Sequence, residues 1–201
     1  MMKRAYNFNA GPAALPEEVL AQAAAEMTDY RGAGMGVMEL SHRSAEYDEL
    51  HERARADLRE LLAVPDNYEV MLVQGGASHQ FMMIPANLAQ GRPVGYADTG
   101  VWATKEAGLY GMTYKIADAA PGGYRDIPKL GAPEDDTAYV HITTNNTIYG
   151  TQYREWPAVG VPVVADMSSD IAARPIDWTK VAAVYAGTQK NLGPAGMAVV
   201  I

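Results

Sequence analysis

The sequence predicts an α/β protein with a mostly parallel seven-stranded sheet flanked by helices, and three observations carry that expectation. Short apolar runs recur seven times beyond position 68. Helical patterns alternate with the first of them, and strand–helix alternation implies crossover connections between parallel neighbours. With 48% hydrophobic and 20% charged residues, 201 residues are enough to bury one real core, so one large domain over 1–201 is expected.

Taken in order, Pro16, Glu17, Glu18 and an alanine-rich stretch predict a helix over 16–30, with proline in its first turn and acids at the positive end of its dipole. Gly32, Gly34 and Gly36 make 31–36 a loop. Ser44 reads as the N-cap of a second helix, because Tyr47, Leu50, Ala54, Leu58 and Leu61 recur at steps of three and four. Pro65 and Asp66 close it. Strands follow over 69–73, 93–97, 114–117, 138–142, 161–165, 182–186 and 197–201, with helices over 78–89 and 101–110. Residues 121–123 and 132–136 are loops by composition. The last apolar run stops at Ile201 with no turn residue or polar tail after it, so the chain is expected to be truncated there, as a fragment of something longer.

Composition excludes several classes of function. No window holds the ~18 uninterrupted apolar residues of a membrane span. The start, MMKRAYNFNAGP, meets Asn, Gly and Pro where a signal peptide needs an apolar stretch, so a cytoplasmic protein is expected. The absence of cysteine removes disulfides, thiolate metal sites and cysteine nucleophiles, and no metal site is expected. A net charge of −8 without a dense Lys/Arg run argues against nucleic-acid and anionic-lipid partners.

Four segments fall where parallel strands deliver their carboxyl ends, the place where open α/β sheets bind ligands. Gln74-Gly75-Gly76-Ala77-Ser78 joins a strand to a helix and would let backbone N–H groups approach a phosphate, although a Gly-Gly turn is also ordinary connection chemistry. Asp166-Met167-Ser168-Ser169 follows a strand. An aspartate there pairs with a protonated ring nitrogen, the electron sink of pyridoxal-phosphate (PLP) chemistry, or merely caps the next turn. Lys190 lies in the glycine-bracketed turn 187–194, one crossover beyond Asp166, where partial desolvation would suit a lysine used as a Schiff-base amine. The run 145–150, Asn-Asn-Thr-Ile-Tyr-Gly, offers amide and hydroxyl groups or plain turn chemistry. Trp102 offers a flat face for a ring, or core packing.

FNAGPAALP at 8–16, ELSHRS at 39–44, QGGAS at 74–78, HITTNNTIYGTQY at 141–153, ADMSSD at 165–170 and YAGTQKNLGP at 185–194 together resemble the phosphoserine aminotransferase family of class V PLP-dependent enzymes. They occur in family order and cover nearly the whole chain. The resemblance implies the type I PLP-dependent aminotransferase fold, with 1–201 as the PLP-binding large domain plus an N-terminal substrate-binding segment, and with the small C-terminal domain absent. It implies a homodimer with sites at the subunit interface. The reaction implied is transamination between O-phosphoserine with 2-oxoglutarate and 3-phosphohydroxypyruvate with glutamate, in serine and pyridoxine biosynthesis.

By the same resemblance Lys190 is the covalent PLP lysine and Asp166 the partner of the ring nitrogen. Ala77 and Ser78 give backbone N–H groups to the cofactor phosphate, joined by the Gln189 side chain. Trp102 stacks on the ring and Thr147 bonds its phenolic oxygen. His42 and Arg43 grip the distal anion of the substrate, a role for which arginine's planar fork is suited. Some relatives carry arginine at the position of Ser78, leaving His79 as the neighbour that would have to replace that contact. The alternatives are another class V enzyme, of alanine–glyoxylate aminotransferase or cysteine desulfurase type, and a catalytically silent fragment.

Overall fold

The computed structural model describes residues 4–201, apart from the side chain of Glu106. Helices α1 (Glu17–Glu26) and α2 (Ala45–Leu61) precede strand β1 (Met71–Gln74), followed by α3 (Gly76–Leu88), β2 (Val94–Asp98), α4 (Val101–Tyr110), β3 (Thr113–Asp118) and β4 (Tyr139–Thr143). A two-stranded hairpin, β5 (Asn145–Asn146) and β6 (Thr151–Gln152), leads to β7 (Val163–Asp166), β8 (Ala183–Gly187) and β9 (Met197–Val200). The seven-stranded sheet has the order β1-β9-β8-β7-β4-β2-β3.

All seven expected strands are present, and the pairs β8–β7, β7–β4, β4–β2 and β2–β3 are parallel. β9 runs antiparallel to both neighbours. Its direction follows from its connection, since residues 188–196 are fewer than the dozen or so that a parallel crossover needs. The strands read as continuous apolar runs because both faces are covered. Val164, Tyr185 and Val200 meet Phe81 and Ile84 on one face, while Ile142, Ala165, Val184 and Val199 meet Met167, Ile171, Ile176 and Trp178 on the other.

The connections β4–β7 and β7–β8 carry a hairpin and successive turns, and their apolar side chains cover the sheet without forming a helix. Helix α1 stops at Glu26, short of residue 30. Asp29 accepts the Gly34 N–H at 2.8 Å, and the Tyr30 N–H is donated to Met35, so the 29–35 loop takes the donors and acceptors that a longer helix would use. The cap at Ser44 forms as expected, its hydroxyl accepting the Tyr47 N–H. Of the expected apolar stripe on α2, Tyr47, Leu50, Ala54 and Leu58 are half-buried and Leu61 is exposed. The helix is tied down by Arg59 to the Tyr68 carbonyl at 2.7 Å and Arg55 to the Val70 carbonyl at 2.9 Å.

Ile142 is fully buried in central strand β4. Ile142→Val is expected to cost about 0.5–1.5 kcal/mol and Ile142→Ala about 2–5 kcal/mol, since deletion leaves a cavity that the sheet cannot close. Denaturant unfolding of the two variants measures both, and equal losses would show that the site relaxes freely.

Candidate functional site

The carboxyl ends of β4, β7 and β8 and the start of α3 surround a cavity of about 330 Å³. The chain enters α3 through Gly75 and Gly76, whose φ angles of 102° and 69° lie in the left-handed region that glycine alone adopts freely. The backbones of Ala77 and Ser78 in the first turn thereby border the cavity, with first-turn N–H groups that have no partner within the helix. An anionic group is the natural acceptor there.

Asp166 ends β7 and is 6% exposed. Burial pushes its pKa above the ordinary 3.8, against the opposing pull of hydrogen bonds from Ser168 and of His141 and Lys190. The Ser168 N–H reaches its Oδ1 at 2.8 Å. The surrounding loop is pinned on several sides. Thr144 Oγ1 lies 2.5 Å from Asp170 Oδ1, and Gln152 donates to Asp170 Oδ2 at 3.1 Å. Ser169 exchanges two 2.8 Å hydrogen bonds with Asn145, and the Gly187 N–H donates to Ser168 Oγ at 3.0 Å.

Lys190 projects from the turn after β8 and is half-buried. Gln189 folds back beside Gly187, where a Cβ would stand 2.6 Å from the glutamine Oε1. Trp102, in the first turn of α4, shows 37% exposure and shares the cavity wall with Phe81, Thr143 and Asn145. The Thr143 hydroxyl is buried and has no hydrogen-bond partner among the described residues.

Thus Ala77, Ser78, Trp102, Asp166, Gln189 and Lys190 converge on one cavity. Three expected residues stand elsewhere. Thr147 is exposed in the turn after β5, and His42 and Arg43 are exposed just ahead of α2. His79 is not among the cavity's lining residues, and its Nδ1 lies 2.6 Å from the Gly75 carbonyl. The ring therefore carries its proton on Nδ1 to donate there. Sequence reasoning missed Thr143, Gly11 and Pro12 in the wall. The Gly-Pro pair inside the distinctive 8–16 run was the available signal for the last two.

These groups fit PLP by the chemistry of what they offer: amides for an anionic tail, a buried carboxylate for a protonated ring nitrogen, an indole face, a lysine amine and an unpartnered hydroxyl. Among the described residues no group of three or more His, Asp or Glu is placed to hold a metal ion, and no helix is long and apolar enough to cross a membrane.

Residues 5–201 match the family described as aminotransferase class-V. A phosphoserine aminotransferase of Lysinibacillus sphaericus is 53% identical over 208 aligned residues, spanning 100% of this chain and 58% of that protein. A phosphoserine aminotransferase structure from Bacillus circulans subsp. alkalophilus superposes with a TM-score of 0.91 at 50% identity, covering 98% of this chain and 56% of that one. The PLP-bound phosphoserine aminotransferase from Trichomonas vaginalis gives a TM-score of 0.91 at 40% identity, covering 98% and 57%. The chain therefore spans a little under three-fifths of the length of these relatives.

The buried carboxylate makes a signed prediction. A pKa raised by folding means that the folded state holds the proton more tightly than the unfolded one, so stability is lost as pH climbs from 3.8 through the raised value. Asp166→Asn is expected to raise the unfolding midpoint of the ligand-free protein at neutral pH, and the gain should shrink as pH falls towards 3.8. Thermal scans of both proteins across that range measure it. A less stable Asn variant at neutral pH would show that the carboxylate is fully compensated without a ligand.

Proposed function

The chain belongs to the class V aminotransferase family, and from that premise we propose that it is the PLP-binding large domain of an enzyme that transaminates O-phospho-L-serine with 2-oxoglutarate, reversibly with 3-phosphohydroxypyruvate and L-glutamate. The observation that carries this reading is the convergence of Lys190, Asp166, Trp102, Gln189 and the first turn of α3 on one cavity. PLP, when bound, supplies an aldehyde that takes up amines covalently and a ring that draws electrons from the substrate Cα.

The chain's own residues then have distinct tasks. Lys190 Nζ anchors the cofactor and carries the proton away from the substrate Cα. The Asp166 carboxylate holds a protonated ring nitrogen, an ion pair that also offsets the cost of burying it. The Ala77 and Ser78 amides and the Gln189 side chain hold the phosphate, and the Trp102 indole supports the ring. Thr147 is the proposed partner of the phenolic oxygen, and the unpartnered Thr143 hydroxyl in the cavity wall is a further hydrogen-bonding group open to the cofactor.

His42 and Arg43 take the substrate's distal anion, the phosphate or the glutamate side-chain carboxylate. Their exposure outside the wall of this cavity favours a homodimer, in which an exposed segment of one subunit can approach the site of another. A cytoplasmic place in serine and pyridoxine biosynthesis completes the reading. The alanine–glyoxylate and cysteine desulfurase alternatives draw no support from relatives named phosphoserine aminotransferase at about half identity.

Borohydride reduction of the PLP-loaded full-length protein followed by peptide mapping is expected to place the cofactor on Lys190. Unmodified Lys190 recovered after full reduction of a sample that was active beforehand would defeat the assignment. Arg43→Ala is expected to raise the Michaelis constant for phosphoserine roughly tenfold to more than a hundredfold, the equivalent of ~1.5–3 kcal/mol for one charge-assisted contact, with the visible absorbance of bound PLP unchanged. Steady-state kinetics with phosphoserine and with alanine as amino donor test both the residue and the substrate. A preference for alanine would overturn the phosphoserine reading.

A further inference from the structure

The run at 8–16 has no task in the reading above, yet part of it forms a wall of the cavity. Gly11 and Pro12 line it, and the next residue, Ala13, donates its N–H to the carbonyl of Gln189 at 2.8 Å. The strap is therefore fastened to the residue adjoining Lys190. A Cβ placed on Gly11 would stand 3.0 Å from Lys190 Cγ, 3.6 Å from its Cε and 3.5 Å from Gln189 Cγ. Side-chain carbons seldom approach as closely as the first of these, so the lysine stem would have to yield.

The backbone does not itself require glycine here. Gly11 is absent from the positions with left-handed φ, unlike Gly75 or Gly76. It is exposed and outside any helix or strand, so no packed core forbids a larger residue. What occupies the missing side chain's place is the stem of Lys190.

We infer that Gly11 is a positioning residue for Lys190: by lacking a side chain it lets the N-terminal strap lie directly against the lysine stem and fix the line along which the amine enters the cavity. The inference rests on the reading of Lys190 as the residue that holds PLP. Orientation of a reacting group has large leverage, since displacements of about 1 Å can cost on the order of a hundredfold in rate. The contact also explains why a segment far away in the chain is bound to the lysine turn by a backbone hydrogen bond, which holds whatever side chains the strap carries.

The test is a double-mutant cycle in the full-length protein, with Gly11→Ala and Gly11→Val each made in the natural and the Lys190→Ala backgrounds. The readouts are the dissociation constant for PLP, the pH titration of its visible absorbance band and the unfolding midpoint of the ligand-free protein. With Lys190 present, the dissociation constant is expected to rise about fivefold to a hundredfold, the range for forcing extra atoms into a filled space. Valine should exceed alanine, and the titration of the band should move. With Lys190→Ala the stem is gone, and Gly11 substitutions should change PLP affinity less than about twofold. Equal losses in both backgrounds would overturn the inference, as would a ligand-free protein that unfolds or melts earlier to the same extent in both, because either places the glycine's role in the strap itself. If Lys190→Ala alone still yields a borohydride-trapped cofactor, the failure belongs to the reading of Lys190.

Discussion

The burial of the Asp166 carboxylate is the constraint around which the rest of the site is arranged. A charge taken out of water is expensive unless it is paired and hydrogen-bonded, and the end of β7 together with the loop after it buries two of them. Asp170, 2% exposed, is met by Thr144, by Gln152 and, at 3.7 Å, by Arg174. Asp166 is met within the chain by Ser168, and burial still dominates its ionisation. Two carboxylates four residues apart thus differ in kind. Asp170 is compensated by its own protein and ties the loop to the β4–β5 junction. Asp166 is left with a cost that a cationic ligand would offset, a condition that marks binding sites more often than scaffolds.

The reversal of β9 places Lys190, the other charged group of the cavity. Asp166 pairs in register with Tyr185 on β8, and β8 ends two residues later at Gly187. A helical crossover from there would carry the chain away over the sheet. Instead it turns back at once into an antiparallel neighbour, and Leu192 and Gly193 donate their N–H groups to the Thr188 carbonyl. Lys190 is held in that tight turn beside the end of the strand adjoining Asp166. Opposite charges on loops after adjacent strands need no long reach to face one cavity, and the rigidity of the sheet sets their separation.

Much of this was legible in the sequence, for identifiable reasons. The seven strands show as apolar runs because both sheet faces are buried. Asp166 and Lys190 stand out because they follow such runs directly, and the end of α1 and the course of α3 were blurred only at their margins. The direction of β9 is absent from the apolar pattern, since a buried strand reads alike in either sense; the short connection 188–196 was the clue. That the apolar residues of 167–181 cover the sheet is not visible in the sequence, because they do so from turns, which have no period. Thr143 was hidden inside a strand run, while Thr147, chosen by its motif, sits in an exposed turn. The contact of Gly11 with Lys190 joins distant parts of the chain, and no local rule expresses it.

The placement of the proposed residues separates two kinds of grip. Apart from Thr147 in its exposed hairpin turn, the groups assigned to the cofactor stand on strand ends, on the first turns of α3 and α4, or in the braced turns after β7 and β8, and their backbones are held by the sheet and by loop hydrogen bonds. Groups assigned to the substrate's distal anion, His42 and Arg43, stand on an exposed segment between a glycine-rich loop and α2. A cofactor that stays bound through every turnover gains from a rigid seat, because any orientation lost is lost in each cycle. In the proposed reaction two substrates of different length would enter and leave in turn, and an anion grip shared by phosphoserine and glutamate would have to adjust between them. Exposed loop residues can make that adjustment and sheet-end residues cannot. The same physics that made Asp166 and Lys190 conspicuous, burial at the end of an apolar run, therefore leaves the residues proposed to bind substrate, His42 and Arg43, visible only through their motif.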